Sequence, residues 1–210
     1  MKTGEDEGEA VARTIRAASQ VLVLIAGPNG AGKTTFVETF LKPLGFPVVN
    51  PDAIARTLFP DGPAEAAYEA AHAADAVRAD LVSRRVSFCA ETVFSDPKGA
   101  KLAFLRKARE AGYVLVIVFI GLESPELSIA RVVERVEQGG HDVPDEKLVT
   151  RYPRTLENLS KSLKLADHVF LFDNSSAEEP YRFVAETRSG RLIRRGPARP
   201  RWAAAVGIQA

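Results

Sequence analysis

The run Gly27-Pro28-Asn29-Gly30-Ala31-Gly32-Lys33-Thr34 has the form G-x-x-x-x-G-K-[ST], a spacing at which a glycine-rich loop can wrap around a phosphate chain. Glycines let the backbone turn its N–H groups to one side, and a helix opening near Lys33 adds the positive end of its dipole at the same point. The chemistry implied is binding of a nucleoside triphosphate. Pro28, Asn29, Gly30, Ala31, Gly32, Lys33, Thr34 and Thr35 form the expected cradle, with Lys33 reaching the outer phosphates and the Thr34 hydroxyl ligating Mg2+. A tight strand-to-helix turn with an incidental lysine is the competing reading. The six apolar residues before the loop and the helical pattern after it favour the cradle.

Ligands of open α/β sheets bind beyond the carboxyl ends of the strands, and three acidic residues fall there: Asp52 in VVNPD, Glu91 in SFCAETVF and Asp173 in FLFDNSS. Asp52 is the candidate base that orients or deprotonates an acceptor hydroxyl; its other reading is an N-cap for the helix AIARTLF. Glu91 interrupts an otherwise apolar strand. A buried carboxylate without a partner is costly, so a metal, a ligand or a structural hydrogen bond is expected beside it, and with Thr34 it makes the candidate metal site. Asp173 reads as turn chemistry.

Arg131 and Arg135 are four residues apart on one expected helix, and Arg151, Arg154 and Asn158 follow at spacings of three and four beyond Gly139-Gly140. Each helix then has a basic face. Residues 136–158 read as a lid that would set guanidinium groups against phosphoryl charge; the alternative is a solvated surface paired with Glu134 or Glu157. His72 and His168 read as packing or surface residues, His141 as part of the lid hinge, and Cys89 as a small core residue.

The apolar runs VLVLIAG, FPVVNPD, VSFCAETVF, YVLVIVFIGL and HVFLFDNS alternate with helical patterns. That order predicts an α/β P-loop NTPase fold: a doubly wound, mainly parallel five-stranded sheet flanked by helices. YRFVAETRSGRLIRR predicts a β-hairpin around Ser189-Gly190. The expected organisation is a polar N-terminal segment (1–20), one P-loop domain (21–195) and a poorly fixed Pro- and Arg-rich tail (196–210). The net charge of +1 provides no general field for nucleic acid or an anionic membrane. No stretch reaches the apolar length of a membrane span, and residues 1–20 lack the apolar run of a signal peptide, so a cytoplasmic address is expected. The single cysteine excludes an internal disulfide.

On GPNGAGKTTF, VVNPDAIA, FCAETVFSDP, RVVERVEQGGHDVPDEKLVTRYPRTLENL and FLFDNSS, spanning roughly residues 20–176, the chain resembles the zeta-toxin family of P-loop kinases, in particular its small stand-alone members. The resemblance implies ATP as phosphoryl donor with Mg2+. It implies an acceptor hydroxyl on a nucleotide sugar such as UDP-N-acetylglucosamine, or on a related metabolite, and it brings a small antitoxin protein as a partner, although no antitoxin-binding element is evident in the sequence. By position Asp52 matches the family's base, Lys33 its P-loop lysine, Glu91 a carboxylate of the substrate and metal region, and Arg135 and Arg151 its lid arginines. Ser95 stands a few residues after Glu91, where full-length toxins carry a substrate-binding arginine; with Arg154 it is placed on the acceptor side. Two other classes fit the motifs. A nucleotide-binding ATPase switch would act through a protein partner and lack an acceptor cleft beside Asp52. A polynucleotide kinase would need a basic channel there, and the Arg-rich stretch from Arg182 to Arg201 is its only local support.

Overall fold

A computed structural model describes residues 4–59, 66–139 and 142–208. Seven strands form one sheet: β1 (Val21–Ala26), β2 (Val48–Val49), β3 (Phe88–Thr92), β4 (Val114–Gly121), β5 (His168–Asp173), β6 (Arg182–Arg188) and β7 (Arg191–Arg195), in the order β2-β3-β1-β4-β5-β6-β7. The first five are parallel, as expected of apolar runs without alternation. The predicted hairpin, β6 and β7, does not stand apart. It adds antiparallel to β5 and widens the sheet, because Phe183, Val184 and Ala185 need covering and β5 offers an open edge. The direction of winding reverses at β1, which lies between β3 and β4, so the loop after β1 opens at the crevice where such sheets bind ligands.

The helices are α1 (Gly4–Arg16), α2 (Lys33–Phe36), α3 (Pro51–Leu58), α4 (Ala66–Ser83), α5 (Ala100–Glu110), α6 (Pro125–Glu137), α7 (Asp145–Ser162) and α8 (Arg201–Ala205). Helical turns continue from α2 through residues 37–44 as a π turn and a 3-10 turn. Alternate strand residues feed two apolar layers. Leu22, Leu24, Leu115, Ile117, Phe119 and Leu171 meet Leu105 and Leu159 on one face. On the other, Val21, Val23, Ile25, Val118 and Phe172 meet Val11, Ile15, Phe36 and Leu41.

Both chain ends differ from expectation. The segment 1–20 contains α1, which lays Val11 and Ile15 on the second layer, and its Glu7 accepts from Nη1 and Nη2 of Arg194, each at 2.7 Å. Residues 196–208 are packed rather than loose. Trp202 in α8 is buried, its ring centroid 5.2 Å from that of Phe119, and its Nε1 donates to Asp173 Oδ1 at 3.0 Å. Gly121 makes room, since a Cβ there would come within 2.3 Å of the indole. Composition hid this because one tryptophan and a few small residues supply the buried face of a segment otherwise rich in Pro and Arg.

The expected lid is fixed at one end. In α7, Thr155 Oγ1 donates to Val93 O at 2.9 Å, and Asn158 Nδ2 donates to Phe94 O at 2.8 Å and Asp96 O at 3.0 Å. Asn158 therefore holds the loop after β3 instead of standing on an exposed basic face. Gly140 and His141 of the expected hinge lie outside the described residues. No described helix is long and apolar enough to cross a membrane.

Trp202→Phe keeps most of the ring but removes a donor from the fully buried Asp173; a loss of about 1–3 kcal/mol is expected in urea denaturation followed by circular dichroism. Trp202→Ala should cost about 3–5 kcal/mol.

Candidate active site

The turn from β1 into α2 is held from outside. Asn29 O accepts from Ser128 Oγ at 2.7 Å, Gly30 O from Arg131 Nη1 at 3.5 Å, Ala31 O from Asn174 Nδ2 at 2.9 Å, and Gly32 O from Tyr181 Oη at 2.8 Å. Lys33 Nζ takes the remaining carbonyl, Pro28 O, at 2.8 Å. Gly32 has φ +86°, and a Cβ there would sit 2.7 Å from Asn174 Nδ2 and 3.0 Å from Tyr181 Oη. A side chain at this position would force these two donors aside. The first amides of α2 have no intrahelical acceptor, so the cradle offers N–H groups to an anion.

The outer donors are themselves fixed. Asn174 N donates to Gly121 O at 2.9 Å, and Asn174 Oδ1 accepts from Tyr181 N at 3.1 Å. The neighbouring Asp173 is the centre of a hydrogen-bonded cluster, taking Ser175 Oγ at 2.8 Å, Arg182 Nη2 at 2.8 Å and Trp202 Nε1 at 3.0 Å. It does more than the turn chemistry expected of it.

Lys33 is almost wholly buried, and desolvation holds its pKa below the usual lysine value. The charges of Glu91 and Asp52 oppose that shift and the charge of Arg135 adds to it, so one cationic P-loop residue feels two carboxylates and an arginine at once. Thr34 Oγ1 donates to Glu91, 2.9 Å from Oε1 and 3.2 Å from Oε2. Asn50 Nδ2 donates to Glu91 Oε2 at 2.7 Å, while Asn50 Oδ1 accepts from the amides of Asp52 at 2.8 Å and Ala53 at 3.3 Å. Asn50, not Asp52, is the N-cap of α3. The Asp52 carboxylate is left exposed on the first helical turn.

The hydroxyl of Thr34 and the carboxylate of Glu91 are hard oxygen donors of the type Mg2+ takes, and Mg2+ commonly completes its octahedron with waters and phosphate oxygens. No group of three or more His, Cys, Asp or Glu able to hold a metal occurs among the described residues, so these residues offer a shared site of that kind rather than an all-protein cage.

The other expected residues are spread more widely. Arg135 is half-buried on α6 within reach of the Lys33 charge. Arg131 spans Gly30 O and Ser175 O, both at 3.5 Å, and so braces the loop. Arg151 is half-buried on α7. Arg154 is exposed beside Glu157, whose carboxyl is held below its usual range first by Lys161 and then by Arg154. Ser95 is half-buried between the two residues whose carbonyls Asn158 binds. Thr35 shares a hydrogen bond with Tyr181. Cys89 is a core residue, its thiol pushed up to about 12 by burial. His72 stacks edge-on with Tyr68, and His168 lies at the opposite end of β5 from Asp173.

Asn50, Ser128, Asn174 and Tyr181 were not expected at the site. Asn50 had a readable signal, Asn followed by Pro at a helix start. The other three meet the loop from 99, 143 and 149 residues away, beyond any local pattern. Tyr152, in the stretch RYPR, donates to Leu122 O at 2.7 Å; burial, with Glu123, Asp173 and Glu126, pushes its hydroxyl up to about 12.

The parallel sheet, its reversal at β1 and the loop held there define a kinase-like P-loop protein. Residues 7–183 match the family described as Zeta toxin, and the chain belongs to the zeta-toxin family. An uncharacterized protein of Haemophilus influenzae is 26% identical over 130 residues, covering 62% of this chain and 91% of that protein. Among solved structures, a chain of the AvrRxo1-ORF1:-ORF2 complex with ATP superposes with a TM-score of 0.67 at 16% identity over 90% of this chain, which spans only 65% of that one. A chain of the PezAT toxin-antitoxin system of Streptococcus pneumoniae gives 0.57 at 17% identity, covering 82% of this chain and 78% of its own. At these identities the two structures establish the fold.

Tyr181→Phe removes the donor to Gly32 O and keeps the ring. Affinity for ADP, read by isothermal titration, should fall by about 1 kcal/mol, or roughly fivefold; an unchanged affinity would show that the outer donor does not shape the cradle.

Proposed function

We propose that the protein is an ATP-dependent phosphotransferase that moves a γ-phosphate to a hydroxyl of a small molecule, a nucleotide sugar of the UDP-N-acetylglucosamine kind or a related metabolite. The observation that carries this reading is the exposed Asp52 carboxylate, within electrostatic reach of the P-loop Lys33 and released from capping by Asn50. A switch that only holds a nucleotide needs the loop but has no use for a second, uncommitted carboxylate beside it.

In the proposed reaction the loop amides and Lys33 hold the triphosphate, and Asp52 takes the proton of the acceptor hydroxyl as its oxygen bonds to the γ-phosphorus. The bond from that phosphorus to the β–γ bridging oxygen breaks, and ADP departs with the charge, which the Lys33 ammonium and the Arg135 and Arg151 guanidinium groups offset. Thr34 and Glu91 would hold Mg2+, which when bound draws charge from the phosphate oxygens. Ser95 and Arg154 are assigned to the acceptor. Ser95 provides a hydroxyl where full-length toxins carry an arginine, so its contact is a hydrogen bond rather than an ion pair. A small protein partner belongs to the same proposal, supported by the toxin-antitoxin system to which the second structural neighbour belongs.

Asp52→Asn should lower transfer by about 100- to 10,000-fold while ATP affinity stays nearly unchanged; Lys33→Ala should lose both. The deciding experiment incubates the protein with ATP, Mg2+ and a panel of nucleotide sugars, nucleosides and oligonucleotides, and seeks by mass spectrometry a product heavier by one phosphate. ATP binding with no acceptor modified would sink the kinase reading in favour of a switch; a modified oligonucleotide would move the acceptor to nucleic acid.

A further inference from the structure

Asn50 is the single residue between β2 and α3, and only 8% of it is exposed. Its amide faces two ways: the nitrogen donates to Glu91, whose carboxylate also receives Thr34 Oγ1, and the oxygen accepts from the first amides of the helix that carries Asp52. The result is an unbroken hydrogen-bonded path from Thr34 through Glu91 and Asn50 to the Asp52 backbone. Capping alone does not select asparagine here, because Ser or Asp caps a helix as well. Serine is too short to span both partners. Aspartate would set a second negative charge against Glu91. Pro51, at the first helical position, has no N–H to compete for the cap oxygen.

The tether matters because α3 meets the core itself only lightly, through Ile54. No residue of α3 is fully buried, the strand before it is two residues long, and its main neighbour is α4. Resting on the phosphotransferase reading above, we propose that Asn50 is a positioning residue that sets the Asp52 carboxylate in register with the metal-side carboxylate Glu91, coupling the nucleotide half of the site to the acceptor half. Both ends of the Asn50 amide are taken by Glu91 and by the first amides of α3. Asn50 acts through Glu91 and Asp52, in the field of Lys33 and Arg135, the charged groups contributed by α2 and α6.

Two variants separate this role from capping. Asn50→Ser keeps a cap oxygen and gives up the reach to Glu91; Asn50→Asp keeps the cap and replaces the donor by a carboxylate. Asn50→Ser should lower kcat by roughly 10- to 100-fold, as loss of an orienting partner behind a metal-side ligand does, with KM for ATP little changed and the melting temperature lowered by a few degrees, because buried Glu91 loses a donor. Asn50→Asp should lower kcat by at least as much, with KM for ATP little changed, because a carboxylate accepts where the amide donated to Glu91. Wild-type kcat in either variant overturns the proposal.

A second measurement does not depend on turnover: hydrogen exchange at residues 51–58 with and without ADP and Mn2+. In the wild type the bound pair should slow exchange there, and in Asn50→Ser binding should leave it unchanged. Equal slowing in both proteins, or none in the wild type, overturns the coupling. Wild-type slowing without transfer to any acceptor would instead overturn the kinase reading and leave Asn50 as the link between nucleotide and α3.

Discussion

The site depends on which way a few peptide planes face. In a trans peptide the C=O of one residue and the N–H of the next point to opposite sides, so carbonyls drawn outward from Asn29 to Gly32 turn the amides that follow them toward the hollow of the loop. Ser128, Arg131, Asn174 and Tyr181 each take one of those carbonyls. The four donors come from α6, from the turn after β5 and from the entry to β6, so a loop of only a few residues is oriented by elements 99 to 149 residues further along the chain. Glycine at position 32 serves the same end, since any side chain there would collide with two of these donors.

Asp173 extends the constraint to the end of the chain. Its carboxylate is fully buried, a placement that is costly unless its oxygens are bonded, and Ser175, Arg182 and Trp202 bond them. The turn so fixed is the one that presents Asn174 to Ala31 and Ser175 to Arg131. Trp202 lies beyond the residues that match the family, 7–183. The cradle's outer support is therefore completed by a residue outside the stretch of this chain that matches the family.

The features legible in the sequence were those with a local signature. Uninterrupted apolar runs gave the five parallel strands, and the loop, Asp52 and Glu91 could be placed because each follows or ends such a run. The hairpin was legible as a hairpin, but not its pairing with β5, which depends on an open edge no local pattern reveals. Asn50 was half legible: Asn-Pro marks a helix start, while the Glu91 that fills its other side is 41 residues away. Asp173 looked like a turn residue because two of its partners, Arg182 and Trp202, belong to segments that read as a separate hairpin and a loose tail. Arg131 looked like part of a lid face, and only the approach of α6 to Gly30 makes it a brace.

The two halves of the site are held with different firmness. The cradle grows from β1, buried along its whole length, whereas α3, with no fully buried residue, follows a two-residue edge strand and rests on α4, Ile54 and one asparagine, the kind of region that opens at lower free-energy cost. In the proposed reaction the acceptor would meet the weaker half, where a few substitutions could change what fits while phosphate binding is kept. The hydrogen bonds from Thr155 and Asn158 to the carbonyls of Val93, Phe94 and Asp96 add a second coupling. They join the helix that carries Arg151 to the loop that carries Ser95. In the proposed reaction, a movement of Arg151 toward the phosphates that kept those bonds would carry Ser95 with it, so closure over the donor would also reshape the acceptor side.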